Sequence, residues 1–230
     1  MSNYILQIDT ATEICSVSIS ADGVLVGEYT AEELNVHASM LTVYIDRLLQ
    51  QLTLDYKDLS AVAVSKGPGS YTGLRIGVST AKGLCYALDI PLLAINTLAS
   101  MYEGYLQHFG LADNSLYVPM LDARRMEVYM SIFDNTRRCV QDTAAVIIDV
   151  NTFDTFSEKK IVLFGSGANK LGELLNDRKH ITIDRQYRHS SAYLSNIAFR
   201  KLQDKEVEDL VYFEPFYLKE FVATVSKKLI

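Results

Sequence analysis

The sequence predicts an α/β protein of two similarly built lobes, each a mixed sheet with helices packed against it. Three observations predict it. A run of three strands followed by helix, strand, helix and strand fills the first hundred residues, a similar order recurs in the second half, and a glycine-rich turn joins a buried strand to a helix in the first. With 230 residues, 49% of them hydrophobic, the chain can bury one large core or two smaller ones in contact.

Period-two alternation marks strands at residues 4–9, 15–20 and 24–29, and Ala21-Asp22-Gly23 supplies the turn between the last two. A 3.6-residue period marks a helix over about 36–52. The apolar run 61–65 reads as a buried strand, followed by a helix over about 72–88 and a strand at 92–96. After a helix over 98–109, strands are expected at 117–121, 127–133 and about 140–149, a buried strand at 161–165, and helices near 169–175 and 192–202. No Pro-rich or low-complexity linker separates the halves, so lobes 1–98 and 99–230 should pack closely. Pro215 makes the tail after Phe213 extended at first, and a last helix is expected to return to the first lobe. This duplicated plan resembles the two-lobed actin-like (ASKHA, ribonuclease H-like) fold of actin, sugar kinases and heat-shock ATPases, although the pattern by itself also admits other mixed-sheet folds.

Composition narrows the function classes. The net charge of −6 argues against a surface that binds RNA unaided, since such binding relies on clustered Lys and Arg. Cys15, Cys85 and Cys139 form no CxxC pair and suggest neither a disulfide framework nor a zinc knuckle. The apolar runs fall far short of the roughly 20 residues that cross a bilayer, and no leader-like segment precedes the first strand. A cytoplasmic chain without membrane partners is expected.

The most informative segment is Gly67-Pro68-Gly69-Ser70-Tyr71-Thr72-Gly73-Leu74-Arg75-Ile76-Gly77. Between a buried strand and a helix, its backbone N–H groups could meet an anion. It is not a Walker loop, which ends in Gly-Lys-Ser or Gly-Lys-Thr, where this chain has Gly73-Leu74-Arg75. The same residues also suit a plain structural turn: Pro68-Gly69 turning the chain, Ser70 or Thr72 capping the helix, and the later glycines allowing close packing.

Over its whole length this segment is similar to the GPGSFTGLRIG signature of the TsaB (YeaZ) family. Ile8-Asp9-Thr10-Ala11-Thr12, the run from Leu121-Asp122-Ala123-Arg124-Arg125 through Met126-Glu127-Val128-Tyr129, and Glu214-Pro215-Phe216-Tyr217-Leu218 resemble the same family's landmarks. The resemblance implies a cytoplasmic complex with the catalytic paralogue TsaD and the small ATPase TsaE. That complex transfers a threonylcarbamoyl group, carried on AMP, to the adenosine beside the anticodon of ANN-decoding tRNAs, giving threonylcarbamoyladenosine. TsaB-like chains support the transfer without performing it and form a homodimer when the partners are absent. On this basis the chain is expected to hold no cofactor of its own, with ATP or ADP and magnesium entering only at the level of the complex, and to meet tRNA indirectly.

The residues agree with a non-catalytic partner. The catalytic paralogue carries two histidines four apart on a helix, whereas here His37 is followed four residues later by Leu41, so no metal site is expected. His108, His180 and His189 lie in unrelated segments. Asp9 closes the first strand where an actin-like ATPase keeps a carboxylate near magnesium, but Thr10-Ala11-Thr12 lacks the glycine that lets backbone approach phosphate. Ala123-Arg124-Arg125 replaces the second loop's glycines, with side chains expected to fill the cleft. Two neighbours in a regular strand point to opposite faces, so these arginines are expected to pair with Asp122 or Glu127 rather than clamp phosphate together. Gly165-Ser166-Gly167 keeps the look of an adenosine-side turn, a weak signal by itself.

Two helices carry the expected partner interface. Val36, Met40, Val43, Tyr44 and Leu48, with Leu41, Ile45, Leu49 and Leu52, spread over more than one face, while Gly73, Gly77 and Ala81 recur at four-residue spacing. Asp9, Gly69, Ser70 and Arg75 are candidates for an interfacial nucleotide or partner contact, Arg75 because a cation in a helix's first turn opposes the helix dipole. The rivals are an autonomous ATPase or kinase, a protease and a direct tRNA binder. Against them stand the altered phosphate loops, the missing GxSxG elbow or His-paired Cys motif, and the acidic charge.

Overall fold

The computed structural model describes residues 2–31, 37–110 and 112–219, apart from the side chains of residues 37 and 38. The first sheet contains β1 (Tyr4–Asp9), β2 (Cys15–Ala21), β3 (Val24–Ala31), β4 (Leu59–Gly67) and β5 (Leu92–Asn96), in the order β3-β2-β1-β4-β5. Strands β1, β2 and β3 pair antiparallel, and β4 and β5 extend the sheet parallel to β1. The second contains β6 (Ser115–Asp122), β7 (Glu127–Asp134), β8 (Cys139–Ile147), β9 (Lys160–Phe164) and β10 (Ile181–Asp184), in the order β10-β9-β6-β7-β8. Read from its other edge, this sheet repeats the first strand for strand, including the antiparallel and parallel pairings. The duplicated mixed sheet is the two-lobed actin-like architecture.

Between β3 and β4 lies α1 (His37–Gln51), and between β4 and β5 lies α2 (Tyr71–Leu88). Their apolar sides share one core with β1, β2 and β4: Leu41, Tyr44, Ile45, Leu48 and Leu49 of α1 meet Val78, Ala81 and Cys85 of α2 over Leu6, Ile8, Val17 and Val62. Tyr44 stacks on Tyr29 at 4.8 Å. Of the apolar residues of α1 that look too many for one core, Leu41, Tyr44, Ile45, Leu48 and Leu49 are buried in its own lobe and Met40 and Val43 are half-buried, while the outward positions Thr42, Asp46, Arg47 and Gln50 are polar. Each fully buried Leu of this set contributes roughly 1.5–3 kcal/mol of transfer free energy. Burial also pushes the Cys15 thiol up to about 11 and the Cys85 thiol up to about 12, so both remain protonated, small apolar core residues.

The opposite face of the first sheet is covered from the second half of the chain. After α3 (Thr97–Phe109), which packs its Leu98, Met101, Tyr102 and Tyr105 on the second sheet, the chain completes that sheet and returns. Leu194 and Ala198, from the 3-10 turn Ser191–Leu194 and α4 (Ser195–Gln203), cover Ile5, Ala61, Ala63, Leu93 and Ile95. Beside this apolar patch runs a polar one. Ser16 and Ser18 of β2 are fully buried; Ser191 donates its N–H to Ser16 Oγ at 2.9 Å and its hydroxyl to Ser18 Oγ at 2.9 Å, and Ser18 donates to Gln7 Oε1 at 3.0 Å. Residues 208–217 then lie back along the first lobe: Glu208 N–H donates to Leu92 O, Phe216 N–H to Lys66 O at 2.7 Å, and Lys82 Nζ to the carbonyls of Val211 and Phe213.

Two elements depart from the sequence expectation, one expected and one not. The helix near residues 169–175 is a 3-10 turn at Asn169–Leu171 followed by further turns, where Gly172 interrupts a stretch too short to nucleate an α-helix. Strand β10 has four residues and no strong alternation, and the sequence did not suggest it. The helix expected after Phe213 falls on residues 220–230, outside the described residues, as does Val36.

Candidate functional site in the cleft between the lobes

The glycine segment is built into the first lobe. Gly67 ends β4 with φ +117°, and Ser70 caps α2 by accepting the Gly73 N–H at 3.2 Å. Ser70 N–H donates to Ala11 O at 2.7 Å, and Thr10 Oγ1 donates to Gly73 O at 2.7 Å. A Cβ at Gly69 would stand 2.3 Å from Ala11 O, at Gly73 2.0 Å from Thr10 O, and at Gly77 2.3 Å from Thr10 Oγ1. On its other side the segment meets the tail: a Cβ at Gly67 would lie 2.5 Å from Phe216 O. These glycines let the β1–β2 turn, α2 and the tail touch backbone to backbone. Gly73, Gly77 and Ala81 are therefore buried within their own lobe, which corrects their assignment to a partner surface.

The same correction applies to Tyr44 and Leu48, buried in the α1 core, while Met40 and Val43 are half-buried and Val36 is outside the described residues. What α2 leaves outward is Thr72, Arg75, Ser79, Gly83, Tyr86 and Ala87, with Tyr86 82% exposed.

Asp9 lies at 0% exposure beneath the cleft. His189 Nε2 stands 2.8 Å from its Oδ2, Ser65 Oγ donates to the same oxygen, and Ala11 N–H donates to Oδ1 at 3.0 Å. Burial by itself would raise this carboxyl, but His189, Ser65 and the Ala11 N–H together hold it below the usual carboxylate range. Tyr187, also buried, places its hydroxyl 3.3 Å from the other ring nitrogen, Nδ1 of His189. Sequence reasoning set His189 aside as belonging to an unrelated segment, yet the topology brings it to Asp9 across 180 positions. No local spacing announces that contact. Four positions after His37, Leu41 is buried in the α1 core. Among the described residues no group of three or more His, Cys, Asp or Glu is arranged to hold a metal.

Above Asp9 the lobes enclose a cleft of about 940 Å³. From the first lobe come Ala11–Ile14 of the β1–β2 turn and Gly69–Thr72; from the second, the β6–β7 turn at Asp122–Arg124, Gly165, Ser166 and the segment Asp184–His189; the tail adds Phe216–Lys219. The arginines of the β6–β7 turn leave this space open rather than filling it. Arg124 and Arg125 have left-handed backbones, φ +74° and +52°, so the alternation of a regular strand does not govern them. Neither takes the expected carboxylate: Asp122 pairs with Lys170, accepting only the backbone N–H of Arg124, and Glu127 pairs with Lys219. Gly165, φ +95°, sits against Met120 O, and Ser166 Oγ accepts the Asp122 N–H, which ties this turn to the second lobe's own backbone.

Gly69 and Ser70 line the cleft, Asp9 lies under it, and Arg75 turns away along α2. Arg75 sits 4.3 Å over the Tyr71 ring and donates from Nε to Tyr217 OH at 3.2 Å, while Tyr71 and Tyr217 face each other at 4.7 Å. Its partners are two aromatic side chains, Tyr71 of its own helix and Tyr217 of the tail, rather than a local carboxylate.

Two lobes of one topology around an open cleft, with the carboxylate that ends the first strand engaged by an imidazole from the other half, define a protein of the actin-like class. The profile of the TsaD family, described as tRNA N6-adenosine threonylcarbamoyltransferase, matches residues 31–225, and the chain belongs to this family. Among its curated relatives, the tRNA threonylcarbamoyladenosine biosynthesis protein TsaB of Bacillus subtilis is 35% identical over 129 residues, covering 56% of this chain and 54% of that one. The protein of the same name from Escherichia coli is 32% identical over 146 residues, 62% of each chain. The chain thus spans between about half and two thirds of the length of these relatives. A solved structure from Pseudomonas aeruginosa, described as an uncharacterized protein with similarity to peptidase YEAZ, shares the fold with a TM-score of 0.77 at 24% identity, covering 94% of this chain and all of that one. The similarity to TsaB and YeaZ drawn from the glycine segment stands. No helix among the described residues is long and apolar enough to cross a membrane.

Proposed function

We propose that this chain acts in the synthesis of threonylcarbamoyladenosine in ANN-decoding tRNAs as a non-catalytic subunit that supports the catalytic paralogue TsaD. The names of its relatives supply the pathway. The observation that carries the non-catalytic role is the engagement of Asp9: the carboxylate placed where an actin-like ATPase would use one is buried and held by His189, Ser65 and the Ala11 N–H. Leu41 in the α1 core, where the catalytic paralogue has its second helix histidine, supports the same assignment. On this reading ATP or ADP with magnesium serves the assembled complex and the small ATPase TsaE, tRNA is met through the complex, and two copies of this chain pair when TsaD is absent.

The surface offered to TsaD is the outward side of α1 and α2, where Thr72, Ser79, Gly83 and Tyr86 leave room for a second helix pair. A titration of this chain into TsaD, TsaE, ATP, threonylcarbamoyl-AMP and tRNA tests the proposal. The rate of tRNA modification should rise and saturate at a fixed ratio of this chain to TsaD, and Tyr86→Glu should raise the concentration needed at least tenfold with the fold intact. A rate independent of this chain would refute the role, and an unchanged Tyr86→Glu titration would refute the surface.

A further inference from the structure

A second cavity, of about 360 Å³, opens where β3 meets the end of α3 and residues 190–196. It shares no lining residue with the cleft between the lobes, and no Lys or Arg lines it. Its volume lies within the range of small-molecule sites, roughly 300–1,000 Å³. Neither the fold nor the proposed subunit role makes use of it.

The polar groups left over in this cavity are acceptors. Glu28 takes the hydroxyls of Thr30, at 2.7 Å, and Ser190 on its Oε1. Among the described residues its Oε2 accepts nothing, and no Lys, Arg or His nitrogen lies within 4.0 Å of the carboxylate. His108 holds its Nδ1 3.0 Å from Gly104 O; a carbonyl only accepts, so in the neutral ring Nδ1 carries the proton and Nε2 is the acceptor. The ring stands edge-on to Tyr193 at 5.5 Å. Tyr193 donates its hydroxyl to Arg188 O at 2.9 Å, so it brings the cavity an aromatic ring rather than a donor. Ser195 is 3% exposed, and its Oγ has no partner. The exposed amides of Gln107 and Asn196 can serve either way. Val24 and Leu25, 69% and 44% exposed, give the cavity an apolar side.

We propose that this cavity binds a primary alkylammonium ion. Such a head has three N–H donors and no acceptor, the complement of what Glu28 Oε2 and His108 Nε2 leave open, with Ser195 Oγ as a third partner. An anionic ligand would instead set acceptors against acceptors. The Tyr193 ring adds cation–π attraction, and Val24 and Leu25 receive the alkyl chain. Because Ser190 already donates to Glu28, the carboxylate is oriented before the ligand arrives. A free diamine and a lysine side chain of another protein present the same head, and no chemical step is assigned to either.

The test is calorimetric titration of the full chain with putrescine, with a lysine derivative blocked at both backbone ends, and with the uncharged butanediol of putrescine's chain length. TsaD and tRNA are left out, so the outcome is independent of the subunit role. At least one of the two amines should bind with a dissociation constant below about 1 mM, and butanediol should not. Glu28→Gln, which keeps an acceptor for Ser190 and removes the charge, should weaken amine binding by at least about tenfold. Glu158→Gln makes the same change of charge at an exposed residue that lines neither cavity, and should leave it unchanged. His108→Phe, which keeps a ring against Tyr193 and removes Nε2, should weaken binding by at least about threefold and decides the matter if Glu28→Gln does not fold, as read by circular dichroism. The tighter of the two amines identifies the source, and equal affinity identifies the ammonium head alone; each of these supports the site. The proposal is overturned if neither amine binds at about 1 mM, if butanediol binds as tightly as putrescine, or if the folded Glu28→Gln or His108→Phe protein binds as tightly as the parent.

Discussion

Gly73 and Gly83 lie on the same helix, and replacing each by alanine should move stability in opposite directions. In α2, exchanging an interior Gly for Ala favours the helix by about 1 kcal/mol. At Gly83 a new Cβ meets nothing within 4 Å, so that gain stands alone. At Gly73 the Cβ would stand 2.0 Å from the Thr10 carbonyl oxygen, a backbone atom that no rotamer change can remove. Relief requires the β1–β2 turn to shift, which also breaks the 2.7 Å bond from Thr10 Oγ1 to Gly73 O. Overpacking of this kind costs about 1–3 kcal/mol or more and the lost hydrogen bond about 1 kcal/mol. Net of the helix term, Gly73→Ala should destabilise by roughly 1–3 kcal/mol. At about 2–4 °C per kcal/mol for a chain of this size, the melting temperature falls by about 2–12 °C for Gly73→Ala and rises by about 2–4 °C for Gly83→Ala. Thermal melting followed by circular dichroism reads both. Equal shifts, or a Gly73→Ala protein as stable as its parent, would refute the account of the glycine segment as a close-packing device.

Three further outcomes follow from the same contacts. His189→Ala leaves a buried carboxylate without its imidazole and should cost about 3–5 kcal/mol in urea unfolding, against under 1 kcal/mol if Asp9 does not depend on it. Because the Asp9 carboxyl is held below its ordinary value in the folded chain, its contribution is complete above about pH 4 and is lost as pH falls through the folded value; Asp9→Asn should remove that part of the acid dependence, and an unchanged acid limb would contradict it. Tyr44→Glu, buried against Tyr29, should lower the melting temperature by more than about 5 °C, whereas Tyr86→Glu, fully outward on α2, should shift it by less than about 2 °C.

The two sheets were legible because their strands alternate or run apolar and the order of elements repeats, so local pattern and global topology agree. Their contact was not. Ser16 and Ser18, alternating with Val17 and Ile19, look like the wet side of a strand, and only the return of Ser191 from the second half buries them. The Asp9–His189 pair is likewise a product of topology, joining residues with no shared period or motif. For α1, counting apolar positions suggested a surplus for a partner, but α2, the sheet and Tyr29 together absorb them. At Arg124 and Arg125 the sequence implied strand alternation, and the left-handed turn that replaces it carries no glycine or asparagine to announce it. Ser70, by contrast, caps α2 as its position at the helix start implied.

The most direct measurement of the subunit's role is threonylcarbamoyladenosine formation on an ANN-decoding tRNA in two complementary omissions, one lacking this chain and one lacking TsaD, each with all other components present. The account predicts that modification is lost in both and returns only when the two are combined. Product formed by this chain without TsaD, or a full rate from TsaD without this chain, would contradict it.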